Sequence, residues 1–236
     1  MNYVFVHGEP SNAASFEPCL SELGLNGSIL LFEAPDHGAS EDFPSLTVSA
    51  WADALAAYVV ALDGPSVLIG HSLGAWAVAH VLPTLGARVT RAVLLSGFTH
   101  FPAETFAPYE ALAAGLDAGA VSLDALVDIG AQAWLSSHSD PALKLTLLRQ
   151  MLAREPMTRI ARGLRRLREV ESPAVIPTPY DTPTVCLHAL GDRATPVDGG
   201  RALAALGSRS RFIEVEDDGH FVHWDHPHLV RKAILD

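Results

Sequence analysis

The chain has 236 residues, 49% of them hydrophobic, with 27 acidic against 16 basic side chains and a formal net charge of −11. This length and apolar content allow one large α/β domain or two small ones, and the acidic balance argues against nucleic acid or an anionic membrane as main partner, since both need a basic field. Two cysteines, Cys19 and Cys186, make no disulfide framework or metal spacing, and neither a leader nor an apolar run of transmembrane length is present, so a soluble cytoplasmic protein is expected.

Taken in chain order, residues 3–6 predict a strand that runs into His7-Gly8-Glu9-Pro10. A helical pattern over 13–23 leads to a second strand over 28–32, after which comes Asp36-His37-Gly38-Ala39-Ser40. A helix over 48–62, a strand over 67–70, a helix over 73–85 and a strand over 92–96 continue the alternation. The strand segments are near-continuous in Val, Ile and Leu, as strands buried on both faces are.

Between about residues 98 and 183 only helical patterns occur. In one of them Asp140 stands as cap, Pro141 takes the first helical position and Pro156 marks the end. The proline-rich stretch 172–183 then returns the chain to a strand over 184–189, a helix over 199–206 with Asp198 as its cap, a strand over 211–215 and a last helix from about Pro227. Strand–helix alternation of this kind predicts an α/β fold: a mostly parallel sheet of about six strands, covered by helices on both faces. Residues 1–98 and 183–236 would form the core, with 99–182 as a helical cap, or lid, inserted before the acid-bearing strand.

The chemistry concentrates at Gly70-His71-Ser72-Leu73-Gly74, placed between a strand and a helix. This is the G-x-S-x-G nucleophile elbow in the context the pattern needs: a sharp turn projects the Ser72 hydroxyl, and flanking glycines let strand and helix approach. The helix that starts at Leu73 aims backbone N–H groups and the positive end of its dipole at a developing oxyanion. A serine hydroxyl needs a base, and the base an orienting acid, in chain order Ser, acid, His. Asp192 follows a late strand and His220 follows the last one, in a Gly-His turn. His223 is the fallback base; Asp198, Asp217 and Asp218 are rival acids.

With these motifs in place the chain resembles α/β-hydrolase-fold serine hydrolases over essentially its whole length. The Asp36–Ser40 stretch resembles the family's D-x-x-G-x-G-x-S loop with one glycine replaced, His7-Gly8 its oxyanion-loop motif, and the helical insertion falls where the family carries its cap. The layout is similar to small carboxylesterases and methyl ester esterases of the pimeloyl-carrier-protein type. The leading antiparallel strands of the common pattern are expected to be missing, as in compact plant methyl esterases and hydroxynitrile lyases. By this resemblance the backbone N–H groups of Glu9 and Leu73 form the oxyanion hole. His-Gly-Glu-Pro is also similar to the loop of haloalkane dehalogenases, but those enzymes use an aspartate at the elbow, where Ser72 stands here. The Glu9 side chain is therefore expected to tune specificity at the pocket mouth without being required for turnover.

His7, His71, Trp76, Phe98, His100 and Phe221 are candidate pocket residues. Arg159, Arg162 and Arg166 share a helix face at spacings of three and four and form a candidate dock for an acidic partner, such as an acyl carrier protein. The expected activity is hydrolysis of a carboxylic ester of a small or carrier-bound acyl group, with no metal or organic cofactor, since the triad carries the chemistry. Thioester or lactone hydrolysis, carbon–carbon cleavage or elimination by the same triad, and a ligand-sensing receptor on the same fold, stay open.

Overall fold

The computed structural model describes residues 1–100, 106–138 and 140–236, so residues 101–105 and 139 of the predicted cap interval lie outside the described residues. Six strands, β1 (Asn2–Val6), β2 (Ser28–Phe32), β3 (Ser66–His71), β4 (Val89–Leu95), β5 (Thr184–Ala189) and β6 (Ser210–Val215), form one parallel sheet in the order β2-β1-β3-β4-β5-β6. The helices are α1 (Glu17–Leu23), α2 (Val48–Val60), α3 (Leu73–Leu85), α4 (Phe106–Asp117), α5 (Leu123–Trp134), α6 (Pro141–Leu152), α7 (Met157–Arg166), α8 (Val197–Ala205), α9 (Val222–Asp225) and α10 (Pro227–Leu235).

Alternation along the strands builds two cores. Val4, Val6, Leu68 and Leu94 point to one face, where residues of α2, α3 and α8 cover them. Phe5, Ile69, Val93 and Leu187 point to the other, under α1 and α10. Each fully buried Val, Leu, Ile or Phe side chain contributes about 1.5–3 kcal/mol against solvent exposure. The expected parallel sheet with helices on both faces is thus the observed one.

Several boundaries differ from expectation, each for a local reason. β4 begins at Val89 and ends at Leu95, because Arg91 can stay in the strand by donating to the Ala233 carbonyl at 3.2 Å, while Ser96 turns out of it with φ 48°. Asp140 does cap α6, accepting from the Ala142 N–H at 3.0 Å, but α6 ends at Leu152 and Pro156 opens α7. Pro196, not Asp198, precedes α8; Asp198 lies in its first turn and pairs with Arg201 at 2.6 Å.

The insertion between β4 and β5 contains α4 to α7, packed around Leu126, Trp134, Leu148, Ile160 and Leu164 and set down on Phe221 and Trp224. The chain winds from β1 out to β2 and then returns past β1 to β3. The winding direction therefore reverses between β1 and β3, where the loops leaving their C-terminal ends part and leave a crevice. His7-Gly8 and Ser72 stand at those ends. Among the described residues, no helix is long and apolar enough to cross a membrane.

Candidate active site

Ser72 sits between β3 and α3 with φ 55° and ψ −122°, a conformation that costs a non-glycine residue about 1–3 kcal/mol. Its surroundings hold it there: the Ser72 N–H donates to the Leu95 carbonyl at 2.9 Å, and its carbonyl accepts from the N–H groups of Ala75 and Trp76 at 2.9 and 3.2 Å. The crossing of α3 over β1 leaves no room for a side chain at residue 74, where a Cβ would meet the Val6 carbonyl oxygen at 2.2 Å. The loop after β1 lies on the serine itself. A Cβ on Gly8 would stand 2.6 Å from Ser72 Cβ and 3.2 Å from its Oγ. Among the described residues, neither the Glu9 nor the Leu73 N–H donates within the chain, and the Ser72 hydroxyl takes no hydrogen-bond partner.

Asp192 and His220 are brought together from the loops after β5 and β6. His220 Nδ1 donates to Asp192 Oδ2 at 2.8 Å, which assigns the proton to Nδ1 and leaves Nε2 as the accepting nitrogen. Asp192 Oδ1 accepts from the N–H groups of Ala194 and Thr195 at 2.8 and 3.0 Å, and Oδ2 also takes the Thr195 hydroxyl at 2.8 Å. Burial opposes the charge on Asp192, but the His220 and His188 rings beside it outweigh that, and its carboxyl is held well below the usual range. The backbone of His220 is clamped as well: its N–H donates to the Trp134 carbonyl at 2.8 Å, and its carbonyl accepts from Ser96 Oγ at 2.8 Å and His71 Nε2 at 3.1 Å. The residue next to Ser72 thus anchors the histidine loop.

The rivals are occupied elsewhere. Asp217 accepts from Ser136 Oγ at 2.5 Å and faces His226 Nε2 at 2.6 Å, and Asp218 pairs with Arg193 at 2.5 Å. His223 is buried, with Nε2 on the Ser15 carbonyl at 3.1 Å; burial, then the His220 and Lys144 charges, push it down to about 3.

A small cavity of about 10 Å³ beside His220 is lined by Glu9, Pro10, Ser11, His71, Trp134, Met151 and Phe221, and it has room for about one water-sized group. His71 and Phe221 therefore stand where a pocket was expected; the other four candidates do not. His7 is a buried brace: Nδ1 donates to the Gly8 carbonyl at 3.0 Å and Nε2 accepts from the Ala34 N–H at 3.2 Å. Burial, then the His37 charge, push His7 down to about 3, so it is neutral. Trp76 is core, its Nε1 donating to the Val175 carbonyl at 3.1 Å, and Phe98 packs in the same core near Gly199. His100 is exposed, with Nδ1 3.0 Å from Thr99 Oγ1. Across Trp134 lies an apolar groove of about 570 Å³, lined by Tyr109, Leu112, Val121, Ile129, Ala133 and Ala194 among others.

The three arginines of α7 do not form an open basic face. Their side chains are 12% (Arg159), 25% (Arg162) and 3% (Arg166) exposed, and all turn toward the core. Arg162 forks onto Asp36 at 2.9 and 2.5 Å, and Arg159 donates to Asp42 at 2.9 Å and to the Gly38 and Ser40 carbonyls. Arg166 donates to the Glu9 carboxylate, to Asp36 at 3.0 Å and to the Leu46 carbonyl at 3.0 Å. The three arginines expected to dock an acidic partner are thus engaged by carboxylates and carbonyls of the same chain. Burial raises Asp36, but Arg162 and Arg166 dominate and bring it to about 2.

Glu9 is likewise not at a solvent-facing mouth. Its other oxygen faces His37 Nε2 at 3.0 Å, and His37 Nδ1 meets the Pro35 carbonyl at 2.9 Å. Both ring nitrogens of His37 thus face acceptors, the arrangement of an imidazolium. Burial works against that charge, but Glu9 raises His37 above its ordinary value; in return His37 and Arg166 outweigh burial and lower Glu9.

The sequence does not single out Thr195 or Met151 as site residues, and it reads Trp134 as core or cap packing. Asp-x-x-Thr at 192–195 is a local turn signal that could have found Thr195. Trp134 and Met151 carry no such signal, since only the folding of the insertion brings them to His220.

The family model described as "Alpha/beta hydrolase family" matches residues 3–233. The chain is similar to the "Biotin biosynthesis bifunctional protein BioHC" of Cellvibrio japonicus, 24% identical over 99% of this chain, and spans only 46% of that protein's length. It is also 28% identical to the "2-(acetamidomethylene)succinate hydrolase" of Mesorhizobium japonicum, covering 98% of this chain and 85% of that protein. Among solved structures, an enol-lactonase from Burkholderia xenovorans LB400 shares the fold with a TM-score of 0.82 at 16% identity, over 100% of this chain and 90% of that one.

Proposed function

The chain belongs to the alpha/beta hydrolase family, and from that premise we propose that it is a serine hydrolase of carboxylic esters, open or cyclic, working through Ser72, His220 and Asp192. The observation that carries this reading is the 2.8 Å Asp192–His220 pair, whose histidine is fastened by its own carbonyl to His71 and Ser96, around the strained serine.

The reaction follows from those groups. Ser72 Oγ attacks the ester carbonyl as His220 Nε2 takes its proton, and Asp192 stabilises the imidazolium. The N–H groups of Glu9 and Leu73 hold the oxyanion, a contribution of about 3–4 kcal/mol per donor in enzymes of this chemistry. His220 returns the proton to the leaving alcohol, and water then releases the acyl group by the same steps in reverse.

The cavity beside His220 is too small for an ester with both its arms, so substrate entry requires side chains that line it, such as Trp134, Met151 and Phe221, to shift. The apolar groove beyond Trp134 is the natural seat for one arm, and its lining favours an uncharged alkyl or aryl group. The test is turnover of a panel of chromogenic esters, lactones and thioesters by the wild type and by Ser72→Ala. Ester or lactone hydrolysis lost in the variant supports the reading. Binding without turnover, or turnover that survives the substitution, would overturn it.

A further inference from the structure

The reading of residue 9 as an oxyanion donor leaves the Glu9 side chain without a task, and its surroundings supply one. Resting on that reading, we propose that the Glu9 carboxylate is a positioning group, which locks the oxyanion loop to helix α7 through Arg166 and to the loop after β2 through His37.

The seat is built from both sides. Arg166 donates to one carboxylate oxygen and His37 faces the other at 3.0 Å. Gly163, one turn earlier on α7, makes the approach possible: a Cβ there would stand 2.1 Å from Glu9 Oε2. Arg166 is itself fixed by the Leu46 carbonyl and by Asp36, each at 3.0 Å, so the guanidinium joins α7 to two loops of the core, the one after β1 and the one after β2. His37 packs between His7 and Trp51, with ring centroids 4.9 and 4.7 Å away, which ties this cluster to the brace under Gly8.

Charge explains why a glutamate is tolerated next to an oxyanion. An isolated carboxylate beside the hole would raise the cost of the tetrahedral intermediate. Here it is flanked by two cations, so the loop carries no net negative charge toward the reacting carbonyl. The backbone N–H of residue 9 and its side chain then serve different ends: one binds, the other sets where the first points. A misplacement of such a donor by about 1 Å can cost about a hundredfold in rate.

A purely structural ion pair would affect stability alone, whereas a positioning group affects kcat. The experiment compares Glu9→Gln, Arg166→Gln and the double variant on an ester that the wild type turns over. It also follows amide hydrogen exchange in segments 8–12 and 157–166. Each single variant is expected to lower kcat about tenfold with KM changed less than about threefold, and the double is expected to fall within about threefold of the worse single, since one contact is lost in all three. Arg166→Lys, which keeps the charge and is the more conservative change for folding, should recover part of the loss. Exchange should rise in both segments together in each single variant. Additive losses, a change in KM alone, or faster exchange confined to one segment would overturn the proposal. Should the wild type hydrolyse no ester, the reading of Ser72 fails while the exchange data still decide whether Glu9 joins the two segments.

Discussion

His220 Nδ1 donates to Asp192 Oδ2 across 2.8 Å, although the two residues stand 28 positions apart on loops after neighbouring strands. Because Asp192 is fully desolvated and its second oxygen is taken by two backbone N–H groups, the carboxylate has one orientation in which to hold the ring. Asp192→Asn is expected to lower kcat by about 10³- to 10⁴-fold, since an amide can stabilise the wrong tautomer and cannot balance the imidazolium. Asp217→Asn, whose carboxylate serves Ser136 and His226, should leave the rate within about tenfold of wild type. Steady-state kinetics on both variants, with circular dichroism to verify folding, separates the two acids.

These contrasts also mark what the sequence could tell. The elbow and the Asp192 turn are local: strand, glycine, serine and helix follow within a few residues, and the chain order of the acid and the base follows from the alternation. The α7 arginines were readable as one helix face but not as inward-facing, because their partners Glu9, Asp36 and Asp42 lie 117 to 157 positions away. His7 and Trp76 looked like pocket residues for a similar reason. Proximity in sequence to Gly8 and Ser72 does not say which side of the loop or helix a ring occupies, and both rings turn into the core.

Trp134 lines both the small cavity beside His220 and the wider apolar groove. Trp134→Ala is expected to merge them, so that kcat/KM for esters with long or branched apolar arms rises relative to short ones by about tenfold or more, the scale of one or two methylenes of burial. A chain-length series of chromogenic esters measures it. An unchanged preference would show that the tryptophan does not separate the two spaces.

His7 and His223 are both buried and pushed from 6.5 to about 3, so the folded state keeps them neutral where the unfolded chain would protonate them. Their contribution to stability is complete above pH 6.5 and is lost as pH falls from there toward about 3. The charged or titratable groups facing His223 are His71, His220 and Lys144, none of which supplies a negative charge to hold a proton there. His223→Leu should therefore flatten the acid side of the stability profile by up to about 1.4 kcal/mol per pH unit, the weight of one proton. The Ser15 carbonyl that His223 would release keeps Trp224 Nε1 as donor at 2.5 Å. Denaturant unfolding followed from pH 7 to about 4.5 tests this, and an identical slope in the variant would contradict it.

Covalent capture decides whether Ser72 is the nucleophile. A fluorophosphonate forms a stable adduct with an activated serine, so mass spectrometry of the treated protein should find one adduct per chain, on the peptide that contains Ser72. Activity should disappear in proportion to labelling, and Ser72→Ala should take up no label. An adduct on another residue, ester hydrolysis that persists in fully labelled protein, or hydrolysis by Ser72→Ala, would contradict this.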